Sequence, residues 1–111
     1  MRILHLTDLH LRQHLPGTSA VPGRESRLMP MILASAVEAG AERHPDLGVL
    51  SGDLVDVAES DRNPDLEAMV WDDLQIIAGV LQRTDSPWVV ISGNHDLPEQ
   101  VTRAFPVAMD W

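Results

Sequence analysis

The sequence predicts an α/β domain built on a parallel sheet, and three observations predict it. Short apolar runs fall at Ile3–Leu6, Leu47–Leu50 and Trp88–Ile91. Two longer segments with apolar residues at helical spacing lie between them, the alternation expected of βαβ units. Each apolar run passes directly into a polar cluster, and in an open parallel sheet the loops after neighbouring strands converge where ligands bind.

Taken in order, Ile3–Leu6 is a short strand beginning almost at the N-terminus. Residues 11–27 read as a loop, because Pro16-Gly17 and Pro22-Gly23 are turn signals. A helix follows from about Pro30 to Arg43. Pro30 suits its first turn, where a missing N–H costs nothing. Leu28, Ile32 and Ala36, with Leu33 and Val37, have helical spacing. Gly40 weakens the last turn and Pro45 enforces a stop. Leu47–Leu50 is the second strand.

A second helix runs from about Pro64 to Arg83, with Asn63 as N-cap and Pro64 at the first helical position. Leu66, Met69, Val70, Leu74, Ile77 and Leu81 form its apolar stripe. Trp88–Ile91 is the third strand, and a short helix spans about Pro98 to Phe105. The second and third strands carry apolar residues toward both faces, as strands covered on both sides do. Right-handed crossovers between strands in sequential order place both long helices on one face and leave the other bare.

Bulk properties narrow the class. A chain of 111 residues suits one domain, residues 1–111. Apolar residues make up 44 % and charged residues 23 %, which is globular composition. No apolar run approaches the roughly 18 residues of a membrane span, and the N-terminal run is too short for a signal peptide. Cysteine is absent, which excludes a disulfide framework and a thiolate metal site. A cytoplasmic protein is the simplest reading. The net charge is −9 and lysine is absent, so no basic patch favours nucleic acid. Phosphate chemistry stays open, because bound cations invert the local field.

The three clusters are Thr7-Asp8-Leu9-His10, Ser51-Gly52-Asp53-Leu54-Val55-Asp56 and Ser92-Gly93-Asn94-His95-Asp96. Their carboxylates and imidazoles suit Mn²⁺, Fe, Zn²⁺ or Ni²⁺. Asp8 and His10, two apart in an extended segment, can present both side chains to one side. Gly52 and Gly93 allow sharp turns before Asp53 and Asn94.

On the blocks Asp8-Leu9-His10, Gly52-Asp53-Leu54-Val55-Asp56 and Gly93-Asn94-His95-Asp96, the chain resembles calcineurin-like metallophosphoesterases. Asp-x-His alone is weak and Gly-Asn-His-Asp fairly specific; three blocks in order, each after a strand, are a strong signal. The resemblance implies a two-sheet sandwich of which this chain forms part, and a dinuclear metal centre. It implies that Asp8 and His10 bind the first ion, Asp53 bridges both and Asn94 binds the second. His95 would stand beside the scissile phosphate as hydrogen-bond donor or acid, with Asp96 orienting it. The ions would be Mn, Fe or Zn. The resemblance spans nearly the whole chain but only the first half of the usual domain. That family's later histidines have no counterpart after Asp96, which leaves the second ion incomplete and implies a C-terminal half or a second copy of the chain.

The remaining polar residues have plainer readings. Asp56 is expected to stabilise its loop rather than bind metal. His5, alternating with apolar neighbours, is expected in the core. His14 is expected to face solvent, His44 to sit favourably at a helix end, and Glu38, Asp72 and Asp73 to occupy solvated helix faces. Trp71 and Trp88 read as packing residues.

Within the family, Thr7 before Asp8, Leu11 after His10 and Val57-Ala58 where protein phosphatases resemble Arg-Gly argue against a protein phosphatase. The opening residues 2–11 look like those of small or cyclic-nucleotide phosphodiesterases and of DNA-repair exonucleases. The acidic balance favours a hydrolase of small phosphodiesters or phosphomonoesters. A DNA-repair exonuclease and a non-catalytic metal-binding fragment are the alternatives.

Overall fold

The computed structural model describes residues 1–16, 19, 21–57, 63–93, 96 and 98–105. Strand β1 (Ile3–Thr7), helix α1 (Met29–Ala41), β2 (Leu47–Ser51), α2 (Pro64–Leu81), β3 (Trp88–Ile91) and α3 (Pro98–Ala104) follow in that order. The three strands form a parallel sheet in sequential order, β1-β2-β3. The α/β alternation expected from the sequence is present. So is the one-sided packing that right-handed crossovers imply, since α1 and α2 pack together over one face.

Period-two alternation decides what each strand residue meets. Leu4, Leu6, Leu50, Trp88 and Val90 point into the core shared with both long helices. Their neighbours Ile3, Leu47, Val49, Val89 and Ile91 form the opposite face. There Ile3 is 56 % exposed and Ile91 49 %. His5 belongs to this second face, in register with Val49 and Val89. It is therefore exposed rather than buried as expected, and its Nε2 pairs with Ser51 Oγ at 2.8 Å. Alternation identifies which residues share a face with His5, but not which face the helices cover.

Helix α2 follows its stripe closely. Val70, Leu74, Ile77 and Leu81 are buried, with Leu66 and Met69 packed beside them. Each fully buried leucine or isoleucine contributes about 1.5–3 kcal/mol over exposure. Asn63 caps the helix, its side chain accepting from Leu66 N at 3.0 Å, a contribution of about 1 kcal/mol. Asp72 is exposed as expected, but Asp73 is fully buried within the apolar face. It accepts from Gln13 N at 3.0 Å, and from His14 N and His14 Nδ1 at 2.7 and 2.8 Å. Asp73 thus ties α2 to the loop after β1. His14, expected to face solvent, is half exposed, with its Nδ1 against the Asp73 carboxylate.

Helix α1 buries Leu33 and Val37, whereas Leu28 and Ile32 are exposed. The inward stripe is narrower than the spacing implied, with Gly40 packed against Leu4 of β1. The helix stops at Ala41, two residues before the expected Arg43, and His44 closes the turn with φ 51°. Trp88 is buried, its Nε1 donating to Thr84 Oγ1 at 2.8 Å. Trp71 carries the Arg103 guanidinium 4.9 Å over its ring.

Candidate metal centre

The sheet register brings the clusters together. Thr7 pairs with Ser51, and Ser51 with Ile91, so Asp8, Gly52 and Ser92 leave the sheet at one level. The first two loops then continue the ladder beyond the strands. His10 N donates to Asp53 O at 2.9 Å and Leu11 N to Leu54 O at 3.1 Å, while Asp56 N donates to Leu11 O at 2.9 Å. Asp8, His10 and Asp53 are thereby fixed relative to one another by backbone as well as by proximity.

Their ligand atoms lie within 4.8 Å of one another. His10 Nε2 stands 3.9 Å from Asp8 Oδ1 and 3.8 Å from Asp53 Oδ2. Ligands bound at about 2.0–2.2 Å to one tetrahedral ion are roughly 3.4 Å apart. Closing the two His10 edges by about half an ångström, with the Asp8–Asp53 edge drawn in from its limit of 4.8 Å, would hold such an ion. Two carboxylates and one imidazole also match the donor set that such ions take. The residues present fit a divalent ion.

All three residues have left-handed backbones: φ is 55° at Asp8, 46° at His10 and 44° at Asp53. The segment from Asp8 to His10 is therefore not extended, as its spacing suggested. The side chains converge through two left-handed turns instead. Non-glycine residues in this region cost about 1–2 kcal/mol each, and such outliers cluster at functional sites. Among the described residues, His44 is the one other non-glycine residue with positive φ.

The two glycines differ in purpose. Gly52, at φ 69°, supplies the turn before Asp53 as expected. Gly93 has no positive φ; it allows close approach. A Cβ there would lie 2.6 Å from Asp53 Oδ1 and 2.8 Å from Gly52 Cα, and would also meet Asp53 N. Asp96 reinforces this contact. It is buried, and its carboxylate accepts from Leu54 N at 2.8 Å, Val55 N at 3.4 Å and Gly93 N at 2.7 Å. Burial pushes the Asp96 carboxyl above its ordinary value; those amides pull it down, and the Asp53 charge raises it further. Asn94 and His95 lie outside the described residues.

Asp56 is 1 % exposed and braces the loop, as expected. Its Oδ2 accepts from Arg12 Nε at 3.2 Å and Ser19 Oγ at 2.9 Å, and its Oδ1 from Arg24 Nη1 at 2.8 Å. Arg24 Nη1 also lies 3.2 Å from His10 Nδ1. Arg12 reaches Asp56 O at 2.7 Å and bonds Pro16 O. Sequence reasoning did not single out Arg12 or Arg24. The buried Asp56 offered a signal, since a carboxylate removed from water requires a cation.

Carboxylates and an imidazole gathered at the carboxyl edge of a parallel sheet define an α/β protein with a group that could hold a metal ion. Comparison with known families specifies which kind: the calcineurin-like phosphoesterase family model matches residues 1–110, and the chain belongs to that family. It is 28 % identical over 108 residues to a probable cyclic nucleotide phosphodiesterase of Psychrobacter arcticus, covering 96 % of this chain and 35 % of that protein. It is 30 % identical over 109 residues to a component of the nuclease SbcCD of Bacillus subtilis, covering 96 % of this chain and 25 % of that protein. The chain thus spans about a third and a quarter of these relatives. No described helix is long and apolar enough to cross a membrane.

Proposed function

We propose that residues 1–111 form the N-terminal portion of a metal-dependent phosphoesterase domain that hydrolyses small phosphodiesters, cyclic nucleotides among them. The observation carrying this reading is the convergence of Asp8, His10 and Asp53, each held in a left-handed backbone, at one sheet edge. In this reading Asp8, His10 and Asp53 would hold the first ion, and Asp53 and Asn94 would help to hold a second. Manganese, iron and zinc all suit these donors. Bound there, two such ions would supply Lewis-acid chemistry to a phosphate ester and a more acidic bound water.

The chain's own groups do the positioning. Asp8 and Asp53 concentrate negative charge where cations are needed, and Asp96 fixes the Asp53 loop against the loop carrying His95. His95 donates a proton or hydrogen bond to the leaving oxygen, and Asp96 orients it. Among the described residues no helix covers the sheet face bearing Ile3 and Ile91, and a C-terminal half or a second copy of the chain would cover it.

Net charge −9 without lysine supports small substrates, as does the likeness to a probable cyclic nucleotide phosphodiesterase. The second reading, a DNA exonuclease, is supported by the likeness to a nuclease component. Turnover of bis-p-nitrophenyl phosphate, a cyclic nucleotide and duplex DNA by the intact protein with Mn²⁺ separates them. Hydrolysis of the small diesters, with kcat falling more than KM rises in His95→Ala, is expected. DNA degradation without small-diester turnover would favour the second reading, and no metal-dependent hydrolysis would contradict both.

A further inference from the structure

We propose that Arg24 is a positioning residue that opposes loading of the first metal site, and must release His10 before an ion binds there. This rests on the reading of Asp8, His10 and Asp53 as metal ligands. The geometry is specific. Arg24 Nη1 makes two contacts, 2.8 Å to Asp56 Oδ1 and 3.2 Å to His10 Nδ1. A guanidinium has only donors, so His10 Nδ1 accepts in this pair. The opposite ring nitrogen, Nε2, faces Asp8 and Asp53.

An ion bound through Nε2 uses the lone pair there, and the ring hydrogen of a neutral imidazole then sits on Nδ1. Nδ1 becomes a donor pointing at another donor. Metal-binding histidines ordinarily direct that second N–H to a carboxylate, carbonyl or water, and Arg24 is none of these. The guanidinium therefore withdraws from His10 when an ion binds, while Asp56 retains it. Asp56 is itself anchored by Arg12 and Ser19, so it offers Arg24 a fixed post. Arg24 lies two residues before the turn Ser26–Leu28 that leads into α1. Movement of this segment would thus be coupled to ion uptake.

The test is Zn²⁺ affinity of the intact protein and of Arg24→Met, by isothermal titration calorimetry, with folding checked by circular dichroism. Wild type is expected to bind, and folded Arg24→Met to bind several-fold tighter, since the competing donor and a nearby positive charge are gone. Equal or weaker binding by folded Arg24→Met would overturn the proposal and make Arg24 a support for His10. A wild type that takes up no Zn²⁺ would instead contradict the metal reading, and this inference with it. Nitrogen NMR of the wild type needs no variant. His10 Nδ1 is expected to change from acceptor to protonated nitrogen in the same step as the Arg24 guanidinium resonances shift. Unmoved Arg24 resonances on Zn²⁺ uptake would overturn the proposal.

Discussion

Replacing Gly93 by alanine places one methyl group between the loops that follow β2 and β3. That Cβ would lie 2.6 Å from Asp53 Oδ1 and 2.8 Å from Gly52 Cα, where ordinary contact begins near 3.4 Å. The backbone N of Asp53 lies closer still, so the loops must part by more than the roughly 0.8 Å that Asp53 Oδ1 alone requires, and Asp53 moves with them. Such overpacking costs about 1–3 kcal/mol. Two further alanine variants separate this cause from others. Gly79 lies exposed in α2 with nothing within 4 Å of its Cβ position, so Gly79→Ala should gain about 1 kcal/mol from helix propensity. Gly52→Ala meets no atom but keeps φ 69°, and should cost about 1–2 kcal/mol through the backbone alone. Urea denaturation ranks the three, and calorimetry with Mn²⁺ shows which lose ion affinity. Gly93→Ala should be destabilised and bind the ion more weakly. Gly93→Ala matching Gly79→Ala in stability, with unchanged ion binding, would refute the account of how the two loops are packed.

Asp73→Ala should cost about 2–3 kcal/mol in urea denaturation, because it removes a buried acceptor from two backbone amides and the His14 ring; a change below about 0.5 kcal/mol would contradict the clamp. In the metal-free protein Asp96 should titrate above its ordinary value of 3.8, because it is buried. A raised native value means the folded state holds the proton more firmly. This contribution to stability is therefore complete below 3.8 and lost as pH rises through the raised value. Carboxyl-carbon NMR of Asp96 checks it, and a midpoint at or below the ordinary value would contradict it. The 111-residue chain alone should associate through the face bearing Ile3, Val49, Val89 and Ile91, since apolar patches of that kind mark interfaces. Light scattering should show less association for Ile91→Glu, and a stable wild-type monomer would count against it.

Much of the fold was legible because its signals are local. Apolar runs, the Asn63-Pro64 start and the six-residue stripe of α2 each specify an element within a few residues. The meeting of Asp8, His10 and Asp53 was legible as well, since a parallel sheet aligns the ends of its strands, whereas Asn94 and His95 of the third cluster lie outside the described residues. What escaped depends on partners distant in sequence. Asp73 looks like its exposed neighbour Asp72 until the loop after β1 arrives to donate two amides. His5 fits an apolar alternation, yet which face receives a layer is decided by crossover handedness. Arg12 and Arg24 gain meaning only from the burial of Asp56, more than 30 residues away. The left-handed turns at Asp8, His10 and Asp53 had no cue in their residue types beyond the tolerance of Asp and His for that region.

The most direct measurement is an anomalous-scattering map from a crystal of the intact protein soaked in Zn²⁺. The account predicts a peak about 2.0–2.2 Å from one oxygen each of Asp8 and Asp53 and from His10 Nε2. These side chains should close slightly from their present 3.8 and 3.9 Å separations. No peak at millimolar Zn²⁺, or a peak elsewhere with the three side chains pointing apart, would contradict it.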